Sequence, residues 1–207
     1  MSVTVAGRGP LVLAALVVAL GAAGCSGDGS ATSTSPSTST TATIGGATSP
    51  SASPSPSATD RQAQAYAAAV KTYNDYWQGL ENTLVTHGDP TRLARIARAD
   101  AFGYAVAIAR EASSQGYTLK GHLTNVYVKP TGFVFGGTTK NPSRVTLTSC
   151  QDLSTNSYVD KSGRTVPKDA DAAKFVKFDA KVVNFSPSLT KDWQVDGLKT
   201  TVVKSCG

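Results

Sequence analysis

The stretch Lys174-Phe-Val-Lys-Phe-Asp-Ala-Lys-Val-Val-Asn-Phe185 decides the fold. Val176, Phe178, Ala180 and Val182 alternate with Lys177, Asp179 and Lys181. A period of two places the apolar side chains on one side of a strand and the charges on the other. One face is therefore buried and the other wet, as in an antiparallel sheet covered on one side only.

Outward from this strand, further β-rich runs occupy residues 122–129, 132–136, 144–151 and 193–206, with turn residues between them. Upstream the period changes to that of a helix. Asp60 reads as an N-cap, and Tyr66, Val70, Tyr73, Trp77, Leu80 and Leu84 follow at alternating steps of four and three. That helix ends near His87-Gly88, where Asp89-Pro90 supplies a new N-cap and a proline at the first helical position. A short second helix presents Leu93, Ile96 and Ala97. A third, residues 101–114, presents Phe102, Ala105, Val106 and Ala109 and stops at Gly116. Helices followed by strands predict an α+β fold, with three N-terminal helices packed on an antiparallel sheet.

This order of elements, including the Asp89-Pro90-Thr91-Arg92-Leu93 helix start, resembles the nuclear transport factor 2-like cone fold over most of residues 60–207. The resemblance implies a curved sheet with a ligand cavity between it and the helices, where the enzymes of the fold use Asp, His or Tyr as acids and bases. Small actinobacterial lipoproteins with a Ser/Thr tether look similar, down to the Ser149-Cys150-Gln151-Asp152 strand end and a late Trp193 before the final cysteine.

The first 59 residues belong to a different class of sequence. Residues 1–24 combine a polar start bearing Arg8, the apolar run from Leu11, and small residues up to Cys25, the layout of a secretory signal peptide. The stretch from Leu11 to Ala23 has 13 residues, short of the roughly 20 that a membrane-spanning helix needs. Gly21-Ala-Ala-Gly24 running into Cys25 resembles the lipobox of bacterial lipoproteins, although Ala22 stands where that family usually has Leu. The resemblance implies diacylglycerol on the Cys25 sulfur, acyl chains of the palmitate type, and anchoring at the outer face of the cytoplasmic membrane. An ordinary cleaved secretion signal is the alternative. With Cys25 lipidated, the odd count of three cysteines leaves Cys150 and Cys206 to pair as a disulfide in an oxidising compartment. Two acyl chains, at roughly 0.8 kcal/mol per buried methylene, suffice for stable attachment.

Residues 26–59 hold 19 Ser or Thr among 34 residues, four Pro and one charge, Asp28. A segment so poor in apolar surface cannot offset its ordering entropy and reads as a disordered tether. As a flexible coil it reaches about 30 Å. Its composition also fits an O-glycosylated stalk. The globular domain is assigned to residues 60–207, which contain every Trp, Tyr and Phe.

Few residues of that domain suggest chemistry. Among the aromatic residues at helical spacing, Tyr66, Tyr73 and Trp77, together with His122, are candidates to line a cone pocket, with core packing the competing account of the aromatic stripe. His87 sits at a helix end, where a solvated imidazole facing the dipole is expected. Asp179 lies between Lys177 and Lys181 and reads as part of a wet charged stripe. Ser188-Leu-Thr-Lys191 and Lys161-Ser-Gly163 imitate acylating-serine motifs, but their order is reversed and no helix start carries the serine. Asp152, Asn156 and Asp160 lack the alternate spacing and closing Glu of a calcium loop. No zinc or haem spacing and no phosphate-binding glycine loop is present, so no catalytic residue, metal or cofactor is assigned.

From Asp60 onward 19 Lys or Arg face 13 Asp or Glu. Arg92, Arg95 and Arg98 suggest one basic face, suited to anionic headgroups or wall polymers outside the cell. Nucleic acid has no motif support. The expected function is a non-catalytic envelope module, anchored to the membrane, that binds a small ligand, a wall component or a partner protein. The alternatives are an isomerase, dehydratase or hydrolase using His122 and a tyrosine, and an accessory subunit of a cell-wall enzyme.

Overall fold

A computed structural model describes residues 57–168 and 171–207. The expected signal peptide, Cys25 and nearly all of the tether lie outside the described residues. Helix α1 is Ala58–Thr86. Its N-cap is Ser57, not Asp60: the Ser57 hydroxyl accepts from Asp60 N at 3.1 Å, and Ser57 N donates back to the Asp60 carboxylate at 3.1 Å. Serine followed three residues later by an acid closes two orphan donors at once, so Asp60 takes the third helical position. The helix buries Ala65, Ala69, Tyr73, Tyr76, Trp77, Leu80 and Leu84 along one face and ends at His87, in the left-handed conformation with φ 53°.

Asp89 then caps Pro90–Arg95, which is a 3-10 helix and not the short α-helix that the sequence suggests. The reason lies just downstream. Val195 N donates to Ile96 O at 2.8 Å and Arg98 N to Val195 O at 2.9 Å, so the chain must straighten to pair with a strand edge before another helical turn can close. Helix α2, Ala99–Gln115, follows and buries Ala101, Ala105, Ala109 and Ala112. These small side chains allow close approach to the neighbouring layer. Gly116, φ 67°, ends it at the expected position.

Six strands complete the domain: β1 Thr118–Lys120, β2 Asn125–Val134, β3 Ser143–Asp152, β4 Ser157–Val159, β5 Phe175–Asn184 and β6 Trp193–Val203. Four of them form an open antiparallel sheet in the order β2-β3-β5-β6, while β1 and β4 pair separately. The class is α+β, as expected. The runs at 122–129 and 132–136 are one strand, β2, with irregular register at Pro130 and Gly132. Proline lacks an N–H and glycine lacks a side chain, so both mark a turn in sequence, yet a bulge accommodates them.

The alternation in β5 is realised: Val176, Phe178, Ala180 and Val182 are buried, and Asp179 and Lys181 are exposed. Val145, Leu147, Ser149 and Gln151 of β3 share the covered face. Cys150 therefore points to the opposite, uncovered side. It forms a disulfide with Cys206, Cα to Cα 5.6 Å. Because β5 separates β3 from β6, the residues after Val203 cross the outer face of β5 to reach it.

Candidate functional site

The space between α1 and the sheet is where a cone ligand would sit. It is filled with aromatic rings: Trp77 lies 4.7 Å from Phe178 and 5.1 Å from Tyr76 between ring centroids, with Tyr104 6.1 Å away, all in edge-to-face arrangements. Tyr73 and Tyr76 have no solvent exposure and Trp77 has 3%. The Tyr76 hydroxyl donates to Ala101 O at 2.9 Å, and Tyr73 Oη lies 2.7 Å from Ser149 Oγ. Burial pushes the Tyr73 phenol up to about 12, against the opposing pull of the Ser149 hydrogen bond. Tyr76 and Tyr104 are raised by the same burial. These phenols are held neutral and packed, and those of Tyr73 and Tyr76 are hydrogen-bonded.

The four candidate pocket residues are not brought together. Tyr66 is half-buried at the start of α1, edge-on to Phe133 at 6.4 Å, and accepts from Gln62 Nε2 at 2.8 Å. Tyr73 and Trp77 belong to the core. His122 lies on the surface with its side chain 80% exposed, its Nδ1 2.8 Å from Glu81 Oε1. The other Glu81 oxygen accepts from Leu123 N at 2.7 Å, so Glu81 ties the entry to β2 onto α1. His122 is the exposed partner in that tie.

The remaining candidates are absorbed by local structure. His87 Nε2 is 2.8 Å from Thr118 Oγ1. Asp179 accepts from Thr148 Oγ1 at 3.0 Å and faces Lys177 at 3.4 Å. Asp160 accepts from Ser162 N, Ser162 Oγ and Arg164 N, and from the Arg164 guanidinium at 2.9 Å. These bonds, the Ser162 hydroxyl first, hold its carboxyl well below the usual carboxylate range. Asp152 closes a turn by accepting from Ser154 N at 2.8 Å. Ser188 sits in the β5–β6 loop, its hydroxyl 3.2 Å from that of Thr190. No cluster of three or more metal-ligating side chains occurs among the described residues.

Of the three arginines, Arg98 is committed: its Nε is 3.1 Å from Asp196, and its guanidinium stacks over Phe185 at 4.6 Å. Asp196 also takes Lys181 at 2.6 Å. The hub role of Asp196 is invisible in sequence, because its partners come from β5 and from the segment before α2. A cleft of about 220 Å³ separates the end of α1 from the end of α2, lined by Thr83, His87, Asp89, Arg110 and Ser113 among others. Among the described residues no helix is long and apolar enough to cross a membrane.

No family model matches this chain, and no curated protein matches it. Among solved structures, the intermembrane-space region of the chloroplast protein ARC6 is similar at a TM-score of 0.43 and 9% identity, over 65% of this chain and 95% of that one. A likeness of that size carries no argument about fold family or function.

Proposed function

We propose that the chain is a lipoprotein of the outer face of the cytoplasmic membrane, anchored through acylated Cys25, whose domain is a non-catalytic binding module. The observation that carries the reading is the pairing of Cys150 with Cys206. It leaves Cys25 as the remaining cysteine of three, directly after a run of small residues where a lipobox would be processed. The long helix, the Asp89-capped turn, α2 and the antiparallel sheet support a nuclear transport factor 2-like cone.

The packing of Trp77 against Phe178 favours recognition of a partner protein or a wall component through the surface over carriage of a small molecule inside. The surface position of His122 counts against the enzyme alternative, which relies on that residue as its acid or base. The test is mass spectrometry of the protein isolated from the host envelope. The expected result is an N-terminal peptide starting at a diacylglyceryl-modified Cys25, with Cys150 and Cys206 crosslinked. A free thiol at Cys25 in protein released from cells overturns the anchor. A small molecule co-purifying in stoichiometric amount overturns the surface-binding part.

A further inference from the structure

One end of the domain combines exposed apolar side chains with unpaired cations. Val134 and Phe135, where β2 runs into its hairpin, are 53% and 51% exposed. The Arg61 guanidinium stacks over the Phe135 ring at 5.1 Å, which brings the first turn of α1 to the same place. Arg144 is the direct cross-strand partner of Val134. The hairpin loop packs through Gly137 against Ser186 and Pro187, so Lys140 of one loop and Lys191 of the next share this end. Arg61, Lys140, Arg144 and Lys191 are all exposed, and among the described residues none lies within ion-pair distance of a carboxylate. Of the nearby acids, Asp60 is engaged in the helix cap and Asp196 by Arg98 and Lys181, which leaves exposed Asp192 against the four cations.

The chain also enters the domain here, since Ser57 caps α1 at this end. We infer that this tip docks on the surface of an anionic bilayer, with Phe135 and Val134 entering the headgroup region and the four cations meeting lipid phosphates. The inference rests on the lipoprotein reading only for the presence of a bilayer within reach of the tether. Charge alone would suit an anionic wall polymer equally well. The two apolar side chains favour the bilayer, because a polymer in water offers them no apolar phase. A ring capped by a guanidinium has the amphipathic character of an interfacial anchor.

The test uses residues 25–207 carrying Cys25→Ser, so that no acyl chain contributes, in cosedimentation with vesicles of phosphatidylglycerol and phosphatidylcholine against phosphatidylcholine alone. Binding is expected only to the anionic vesicles. It should weaken about fivefold for each cation removed by Lys140→Gln or Lys191→Gln, and about tenfold for Phe135→Ser. Circular dichroism and an intact disulfide verify that the exposed-site variants fold. Equal binding to both vesicles, no binding to either, or variants that bind like the parent overturn the inference. So does binding to soluble poly(glycerol phosphate) without vesicle binding, which would assign the tip to wall polymer. A free Cys25 thiol in the native protein would sink the anchor while leaving this measurement unaffected.

Discussion

Tyr73 and Ser149 stand 76 residues apart in the chain, and their hydroxyl oxygens meet at 2.7 Å inside the domain. Both side chains are fully buried, so water cannot replace either partner. The bond ties α1 to β3 at the point where the helix crosses the sheet. Ser149→Ala strands the Tyr73 hydroxyl and is expected to cost about 1–3 kcal/mol in urea unfolding. Tyr73→Phe combined with Ser149→Ala should cost less than the sum of the single changes, because removing both partners leaves no polar group unsatisfied. Additive losses would show that the pair is not coupled.

Trp77→Ala opens the space that the indole now fills. The expected destabilisation is about 3–5 kcal/mol, and the resulting apolar cavity should take up benzene, seen as a rise in melting temperature that the parent protein does not show. Phe178→Leu is the milder companion if the alanine variant does not fold. A parent protein stabilised by benzene as strongly as the variant would mean that the space is already open.

Breaking the crosslink by Cys150→Ala with Cys206→Ala releases a loop closed over a sequence separation of 56. The chain-entropy treatment gives a loss of about 4 kcal/mol. Amide exchange should accelerate most in the last residues of β6, which lose their tie to β3. Uniform acceleration across all strands would argue instead that the disulfide acts on the unfolded chain alone.

Alkali should unfold the domain through its buried phenols. Burial raises the Tyr73 pKa from 10.0 to about 12, and Tyr76, Tyr104 and Tyr158 shift in the same direction. A raised acid keeps its proton more tightly in the folded state, so this stability is complete below pH 10 and declines as pH rises toward 12. Phenolate absorbance and near-ultraviolet circular dichroism should therefore change together in that window. Ionisation of these tyrosines with no loss of tertiary signal would count against their burial.

The sequence made legible whatever local chemistry settles. The alternation of β5 survives intact because every second residue meets the same helical layer, and Gly116 ends α2 because few other residues accept its φ of 67°. Elements settled by distant partners were not legible. Residues 96–98 leave the helical path for Val195, about a hundred positions away. The paired strands β1 and β4 are only three residues each, too short for any period to register. The candidate site suffered most, since an aromatic stripe at helical spacing is the same pattern whether the facing layer leaves a cavity or fills it. Phe178 fills it. For His122, the sequence offered no sign that Glu81, 41 residues earlier, would hold it at the surface. Phe135 was hidden by its strand-like neighbours, and only the hairpin geometry exposes it.

The crosslink at Cys206 also sets how the outermost strand can leave the sheet. In the order β2-β3-β5-β6, β6 has a neighbouring strand on one side only, and such a strand would ordinarily be the first to peel away. The segment after Val203 is fastened to β3 behind β5, so a pull on that end of β6 is carried by a covalent bond and shared by three strands. Peeling from that side would have to begin with a reductant.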